Sequence, residues 1–363
     1  MHPRPDRMAS ALARLVPGQA PGVQYVAVTA DGICFRGAAG VQQMGRPAAI
    51  DDTTHFAVYS LTKVVTAVAL LQLVDQGRCH LDDLLTTWIP QATFTHPLLS
   101  RHPLRLRHLI DQTSGIANPL PTRWVHAPND PGDRGGWDAL APILARHRRL
   151  AAEPGRRYRY ANLSYWLLGL VIEAVTGTSY PDAIRRGILE PLGIHDQATF
   201  AYAHDRTYAE GHLRRWSVLD WLKTWVAERR FWTDARGGYL RISRHLVDGP
   251  SFGGLLTTAT ALGVFLQDQL RPVSRLLSPE RRRLLLTPRQ GNNGQAIPMT
   301  LGWHTEHQGG QLMLRKEGGG MGFRAEMRLY PHHGVGTVLL ANDAVFPVRS
   351  HLTRLDALLF AQD

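Results

Sequence analysis

A chain of 363 residues with 44% hydrophobic and 20% charged residues has the make-up of a folded protein, enough for one large domain or two closely packed ones, and not that of a disordered or fibrous one. The net charge of +11 raises nucleic acid as a partner, but the arginines are scattered, with short clusters at 146–149, 156–157 and 281–283, and no nucleic-acid motif accompanies them, so the charge reads as a solvated surface. Cys34 and Cys79 are too few for a disulfide framework, and no apolar run approaches a membrane span.

The stretch Met1-His-Pro-Arg-Pro-Asp-Arg-Met has no apolar signal core behind it, so the expected location is cytoplasmic, or periplasmic if a leader was removed. Residues 6–16 form a short amphipathic pattern. The alternation over Val23–Val28, the turn Asp31-Gly32 and the return over Ile33–Arg36 predict an antiparallel hairpin. Next comes Phe56-Ala-Val-Tyr-Ser60-Leu-Thr-Lys63, read as an extended lead-in to a helix. Apolar residues from Val64 to Val74 cover nearly its whole circumference, and Gly77 is placed to end it.

Short helical pieces at 81–90 and 105–110 follow, then a Pro- and Gly-rich loop over 118–136 and a helix over 137–150. Tyr160-Ala-Asn162 precedes an apolar helix predicted over 164–175, and a second helix over 180–190 is expected to break at Pro191-Leu-Gly193. Trp216, Trp221, Trp225 and Trp232 crowd the stretch 200–250. They read equally as core fillers or as an apolar lid over a bulky substrate. Helices are predicted from the Ser251–Thr258 stretch to about Leu270 and over 279–286. Strand pairs are predicted for 301–303 with 311–316 and for 323–330 with 335–340, and a closing helix over 348–361 carries a stripe of Leu352, Leu355, Leu358 and Leu359.

This order predicts an α/β (α+β) protein: an antiparallel sheet flanked by helices, with a mostly helical inserted domain. The sheet domain is drawn from residues 1–85 and 251–363. The inserted domain takes 86–250, with the Trp-rich insertion at about 200–250.

Ser60 and Lys63, three apart, share one face of a helix, so a buried and therefore neutral amine would lie beside a hydroxyl it can activate. A lone Ser-x-x-Lys is a common accident. Here, however, the only lysines are Lys63, Lys223 and Lys316, and arginine, which does not lose its proton, supplies nearly all of the 41 basic residues. Lys223 carries no motif and reads as surface. The 17 histidines, including His304-x-x-His307 and His332-His333, offer no third ligand at a recognisable spacing, so neither a metal nor another cofactor is expected.

Ser60-x-x-Lys63, Tyr160-x-Asn162 and Lys316-x-Gly318, in that order, resemble the serine β-lactamase and penicillin-binding-protein superfamily, and the Tyr-x-Asn form resembles its class C β-lactamases and related esterases and D-aminopeptidases. Thr113-Ser-Gly-Ile116, Pro191-Leu-Gly-Ile194 and Gly253-Gly-Leu-Leu-Thr-Thr258 extend the likeness to roughly residues 20–345. The resemblance implies a Ser60 acyl-enzyme, Lys63 against its hydroxyl, and Tyr160 sharing the proton with a pKa lowered toward neutrality by two flanking ammonium groups. It implies that Asn162 orients Lys63 or the substrate, that Lys316 borders the site, and that the Ser60 and Gly319 backbone N–H groups form an oxyanion hole. The kinetic base, Lys63 or Tyr160, stays open.

The third motif departs from the β-lactamases: Glu317 stands where they carry a hydroxyl residue that helps hold the substrate carboxylate. The expected function is a serine hydrolase cleaving a small neutral ester or amide, a carboxylesterase with little β-lactamase activity. The alternatives are an acyltransferase using the same acyl-enzyme, a β-lactamase or D-aminopeptidase, and a non-catalytic sensor on this scaffold. Oligomeric state is not readable from the chain.

Overall fold

A computed structural model describes residues 5–16, 20–121, 124–132, 135–215 and 229–361. Trp216, Trp221, Trp225 and Lys223 lie outside these residues.

The frame is a six-stranded antiparallel sheet. Its strands are β1 (Gly22–Thr29), β2 (Ile33–Gly40), β3 (His304–Gln308), β4 (Gln311–Gly320), β5 (Phe323–Tyr330) and β6 (Val335–Ala341), in the order β3-β4-β5-β6-β1-β2. Residues 22–40 are thus zipped onto residues 304–341 through β1 and β6, with Val26 opposite Val338. The alternation that predicts the strands also sorts their side chains between two faces. Val26, Val28, Met327, Leu329 and Val338 join the larger core, whereas Val23, Tyr25, Tyr330 and Leu339 join a smaller core. Helices α1 (Pro5–Ala13) and α5 (Val348–Phe360) cover the smaller-core face.

On the larger-core face lie α2 (Thr62–Asp75), α3 (Asn162–Thr176) and α4 (Ala259–Leu270). All of α2 except Gln72 and Asp75 is buried, as a helix apolar all round requires. It ends where Gly77 takes a φ of +67° and the Arg78 N–H reaches back to the Leu73 carbonyl. The mixed architecture of an antiparallel sheet and helices agrees with the predicted fold class.

Several element predictions need correction. The strand that pairs with the one starting at Gln311 is His304–Gln308, not 301–303. Gly302 needs a φ of +109° and packs against Ala67, so the 301–303 segment turns instead of extending. The helix after Tyr180 passes through Pro191 and stops at Gly193, because a π-helical stretch over Arg185–Leu189 puts Pro191 in the first turn of a new segment, where a missing N–H costs little. Leu358 is 38% exposed, so the stripe of α5 is Leu352, Leu355 and Leu359. Within 200–250 a three-stranded antiparallel sheet forms from Gly211–Arg214, Trp232–Arg236 and Tyr239–Ile242, an element the tryptophan spacing did not suggest. Among the described residues, no helix is long and apolar enough to cross a membrane.

Candidate active site

Three segments converge between the helices and the end of β4 that runs beyond its pairing with β3. The strand Phe56–Ala57, paired with Leu256–Thr257, leads into a 3-10 turn, Tyr59–Leu61, which runs directly into α2. Ser60 therefore sits in the tight turn ahead of the helix, and Lys63 lies in its first turn. The second segment is Tyr160-Ala-Asn162, where Asn162 begins α3 and its backbone N–H is received by the side chain of Asn118 at 2.9 Å. The third is the end of β4, whose glycines admit close contact. A Cβ on Gly318 would lie 2.1 Å from the Val58 carbonyl oxygen, and one on Gly320 would lie 2.1 Å from the Tyr59 ring.

Side chains of these segments meet. Ser60 Oγ is 2.7 Å from the Tyr160 hydroxyl and 2.9 Å from Lys63 Nζ. Lys63 also donates to Asn162 Oδ1 at 2.8 Å and to the Phe252 carbonyl at 2.7 Å. Both of these oxygens only accept, so they take two N–H bonds. A neutral amine then presents its lone pair to the third neighbour, Ser60 Oγ. Burial drives the Lys63 pKa well below its ordinary value, and the nearby Lys316 charge adds to the effect.

Lys316 is fully buried, its Nζ 5.7 Å from the centre of the Tyr160 ring and without a hydrogen-bond partner among the described residues. Burial first, then Arg315, brings its pKa down to about 7. For Tyr160 burial acts in the opposite direction and pushes the phenol up, outweighing the hydrogen bond to Ser60. The expected lowering toward neutrality is therefore corrected. That argument took both lysines as charged, whereas burial disfavours charge on all three groups and leaves an amine beside a phenol.

The cluster opens onto a cavity of about 270 Å³ bordered by Ser60, Asn162 and Gly319. Apolar side chains make most of its wall, among them Trp124, Val125, Leu213, Val247, Phe252 and Met321. Arg324 is the charged side chain on that wall. Glu317 does not line the cavity. Its carboxylate is held by Arg324 at 3.0 Å, on the strand face opposite Lys316. His304, weighed as a metal ligand, bonds instead to the Tyr158 hydroxyl at 3.0 Å, and burial and Lys316 press its pKa down to about 2. Among the described residues no cluster of three or more His, Cys, Asp or Glu side chains could hold a metal.

Sequence reasoning missed the Phe252 carbonyl, Tyr59, Trp124 and Arg324. A backbone oxygen leaves no mark on side-chain pattern, and Arg324 is one arginine among many. Trp124 lies within the Pro- and Gly-rich loop over 118–136 and could have been singled out as an aromatic among turn residues.

A family model described as Beta-lactamase matches residues 8–361. Protein flp of Staphylococcus aureus strain MW2 is 25% identical over 335 residues, covering 90% of this chain and 60% of that protein, so the chain spans about three fifths of that relative's length. The octameric penicillin-binding protein homologue from Pyrococcus abyssi superposes with a TM-score of 0.76 at 21% identity, covering 99% of this chain and 78% of its own. D-amino acid amidase from Ochrobactrum anthropi SV3 superposes at 0.75 and 19% identity, covering 98% of each chain. The family match runs across nearly the whole chain and takes in the hydroxyl, the amine, the phenol and the end of β4 that meet here, and on that extent the chain belongs to the Beta-lactamase family.

Proposed function

We propose that the protein cleaves a neutral ester or amide with an apolar acyl group through a Ser60 acyl-enzyme, as a carboxylesterase with little activity on β-lactams. The observation that carries this reading is the partner set of Lys63: two carbonyl oxygens occupy its N–H bonds, and its remaining valence faces Ser60 Oγ at 2.9 Å. In the proposed reaction Ser60 Oγ gives its proton to Lys63 as the new C–O bond forms. The backbone N–H groups of Ser60 and Gly319, which border the same cavity, receive the charge that develops on the carbonyl oxygen. Tyr160, 2.7 Å from Ser60 Oγ, relays a proton to the departing alkoxide or amine. Water then resolves the acyl-enzyme, with the amine and phenol acting in reverse. Asn162 holds Lys63 in place, and Lys316 lies against the Tyr160 ring, its Nζ 5.7 Å from the ring centre.

The choice of substrate rests on the cavity wall. Its side chains are mostly apolar, the described lining residues include no carboxylate to receive an α-ammonium group, and Arg324 is already neutralised by Glu317. A β-lactam carboxylate would find no free cation at Arg324, the charged side chain on the wall.

The test is intact mass after incubation with p-nitrophenyl esters of increasing acyl length and with nitrocefin, comparing wild type with Ser60→Ala. A Ser60-dependent acyl adduct with the esters, and p-nitrophenyl butyrate turned over much faster than nitrocefin, is the expected result. Comparable turnover of the two would remove the esterase reading, and an adduct that survives Ser60→Ala would remove the nucleophile.

A further inference from the structure

The residue just before Ser60 is under backbone strain. Tyr59 has a φ of +44°, a conformation that bulky side chains adopt only when their surroundings impose it. Those surroundings are specific. The Tyr59 hydroxyl lies 2.7 Å from His245 Nε2 and 3.3 Å from the Met321 carbonyl. His245 is 3% exposed, and its Nδ1 lies 3.0 Å from the Ser243 carbonyl. A carbonyl only accepts, so Nδ1 carries a proton. In the neutral ring Nε2 is then an acceptor, and the Tyr59 hydroxyl donates to it. The Phe231 ring packs edge-on against His245, and Phe323 packs against Tyr59, closing the pair off from water.

The Tyr59 ring also touches the other wall of the site. The backbone of Gly320 lies so close that an added Cβ would come within 2.1 Å of ring atom Cε1, and Met321 is the next residue. One side chain therefore spans two pieces of backbone: the peptide that supplies the Ser60 N–H and the strand end that supplies the Gly319 N–H.

We infer that the Tyr59–His245 pair is a positioning device for the oxyanion hole, holding the strained turn at Tyr59 against β4 so that the two N–H donors keep the spacing a tetrahedral intermediate requires. This inference rests on the reading of Ser60 as nucleophile. Tyr59 borders the cavity, with its hydroxyl engaged by His245, which does not border it. Each acts through the backbone next to it, and the effect falls on charge that appears only in the transition state.

The experiment compares wild type, Tyr59→Phe, His245→Gln and the double variant on p-nitrophenyl butyrate, with rates normalised to active sites titrated by a fluorophosphonate and with Tm measured for each. Displacement of one oxyanion donor is expected to lower kcat by about 10- to 100-fold while KM stays within about threefold. Tyr59→Phe is expected to lose more than His245→Gln, whose amide can still accept from the phenol, and the double variant is expected to be no worse than Tyr59→Phe, because both changes cut one tie. A Tyr59→Phe enzyme with kcat per titrated site within twofold of wild type overturns the inference, and so do independent, multiplying losses. If Tyr59→Phe does not fold, His245→Gln and His245→Leu decide: retained kcat in the Gln variant with a loss in the Leu variant supports the tie, and equal kcat in both overturns it. Absence of a Ser60-dependent adduct in the wild type overturns the nucleophile reading and this inference together, whereas a wild-type adduct with unaffected variants overturns the inference alone.

Discussion

Lys316 and Arg328 are carried by neighbouring strands and are both buried, yet they face opposite sides of the sheet, since Lys316 pairs with Met327. On the α5 side Arg328 is saturated. Its Nε meets Glu326 at 2.7 Å, Nη1 meets Asp356 at 3.1 Å and Thr353 at 3.0 Å, and Nη2 meets the Arg349 carbonyl at 2.9 Å. Its pKa moves up, against burial, under the pull of Glu326 and Asp356. On the other side Lys316 has no such partners and Lys63 has carbonyls in place of carboxylates, and both pKa values fall. Arginine keeps its charge wherever it is placed, so it suits a permanent ionic knot. Lysine gives its charge up when desolvated, so it suits a site that must pass protons.

That contrast can be broken from either side. The largest effect is expected for Lys63→Arg, which cannot be deprotonated and should lower kcat by about a thousandfold or more. A loss under tenfold, measured per folded enzyme on p-nitrophenyl butyrate, would place the base elsewhere. Arg328→Met should act on stability instead. It leaves Glu326 and Asp356 buried without their partner and should cost about 3–5 kcal/mol in urea unfolding, while the folded fraction keeps its rate.

Lys316→Met should do the reverse, raising Tm while lowering kcat/KM. The folded-state pKa of about 7 lies below the ordinary 10.5, so the unfolded chain holds more protons between these values and stability rises with pH there. The stabilising effect of the Met variant should therefore be greatest below pH 7 and shrink toward pH 10.5, which a Tm series across pH will measure. In the same direction, kcat/KM should fall as acid protonates Lys63, and in the Lys316→Met enzyme that acid limb should shift to higher pH, because one of the causes depressing the Lys63 pKa is gone. The smallest effect is expected for Glu317→Thr, which releases Arg324 on the cavity wall. Nitrocefin turnover should rise by about fivefold, the scale of one partly exposed ion pair.

The sequence made one half of this contrast visible and hid the other. The scarcity of lysine draws attention to residues 63 and 316, and alternation with turn residues traces β1, β5 and β6 closely and the first half of β2. Arg328 is not distinctive in a chain so rich in arginine, and its saturation depends on Asp356, 28 positions away on another element. The direction of the Tyr160 shift was misread because it depends on burial, which motif spacing does not report. Glu317 could be placed by strand alternation, but its partner Arg324 could not. The strain at Tyr59 is a backbone property that a tyrosine in sequence does not announce.

The pairing of β1 with β6 joins segments more than three hundred positions apart. Loop closure on that scale is slow, and the sheet cannot form until the later strands have left the ribosome. Ser60 and Lys63 emerge early, but the β4 edge they face arrives some 250 residues later. A chain made only as far as α4 therefore carries its hydroxyl and amine without an opposing wall, and the proposed chemistry is withheld until β4 has been made.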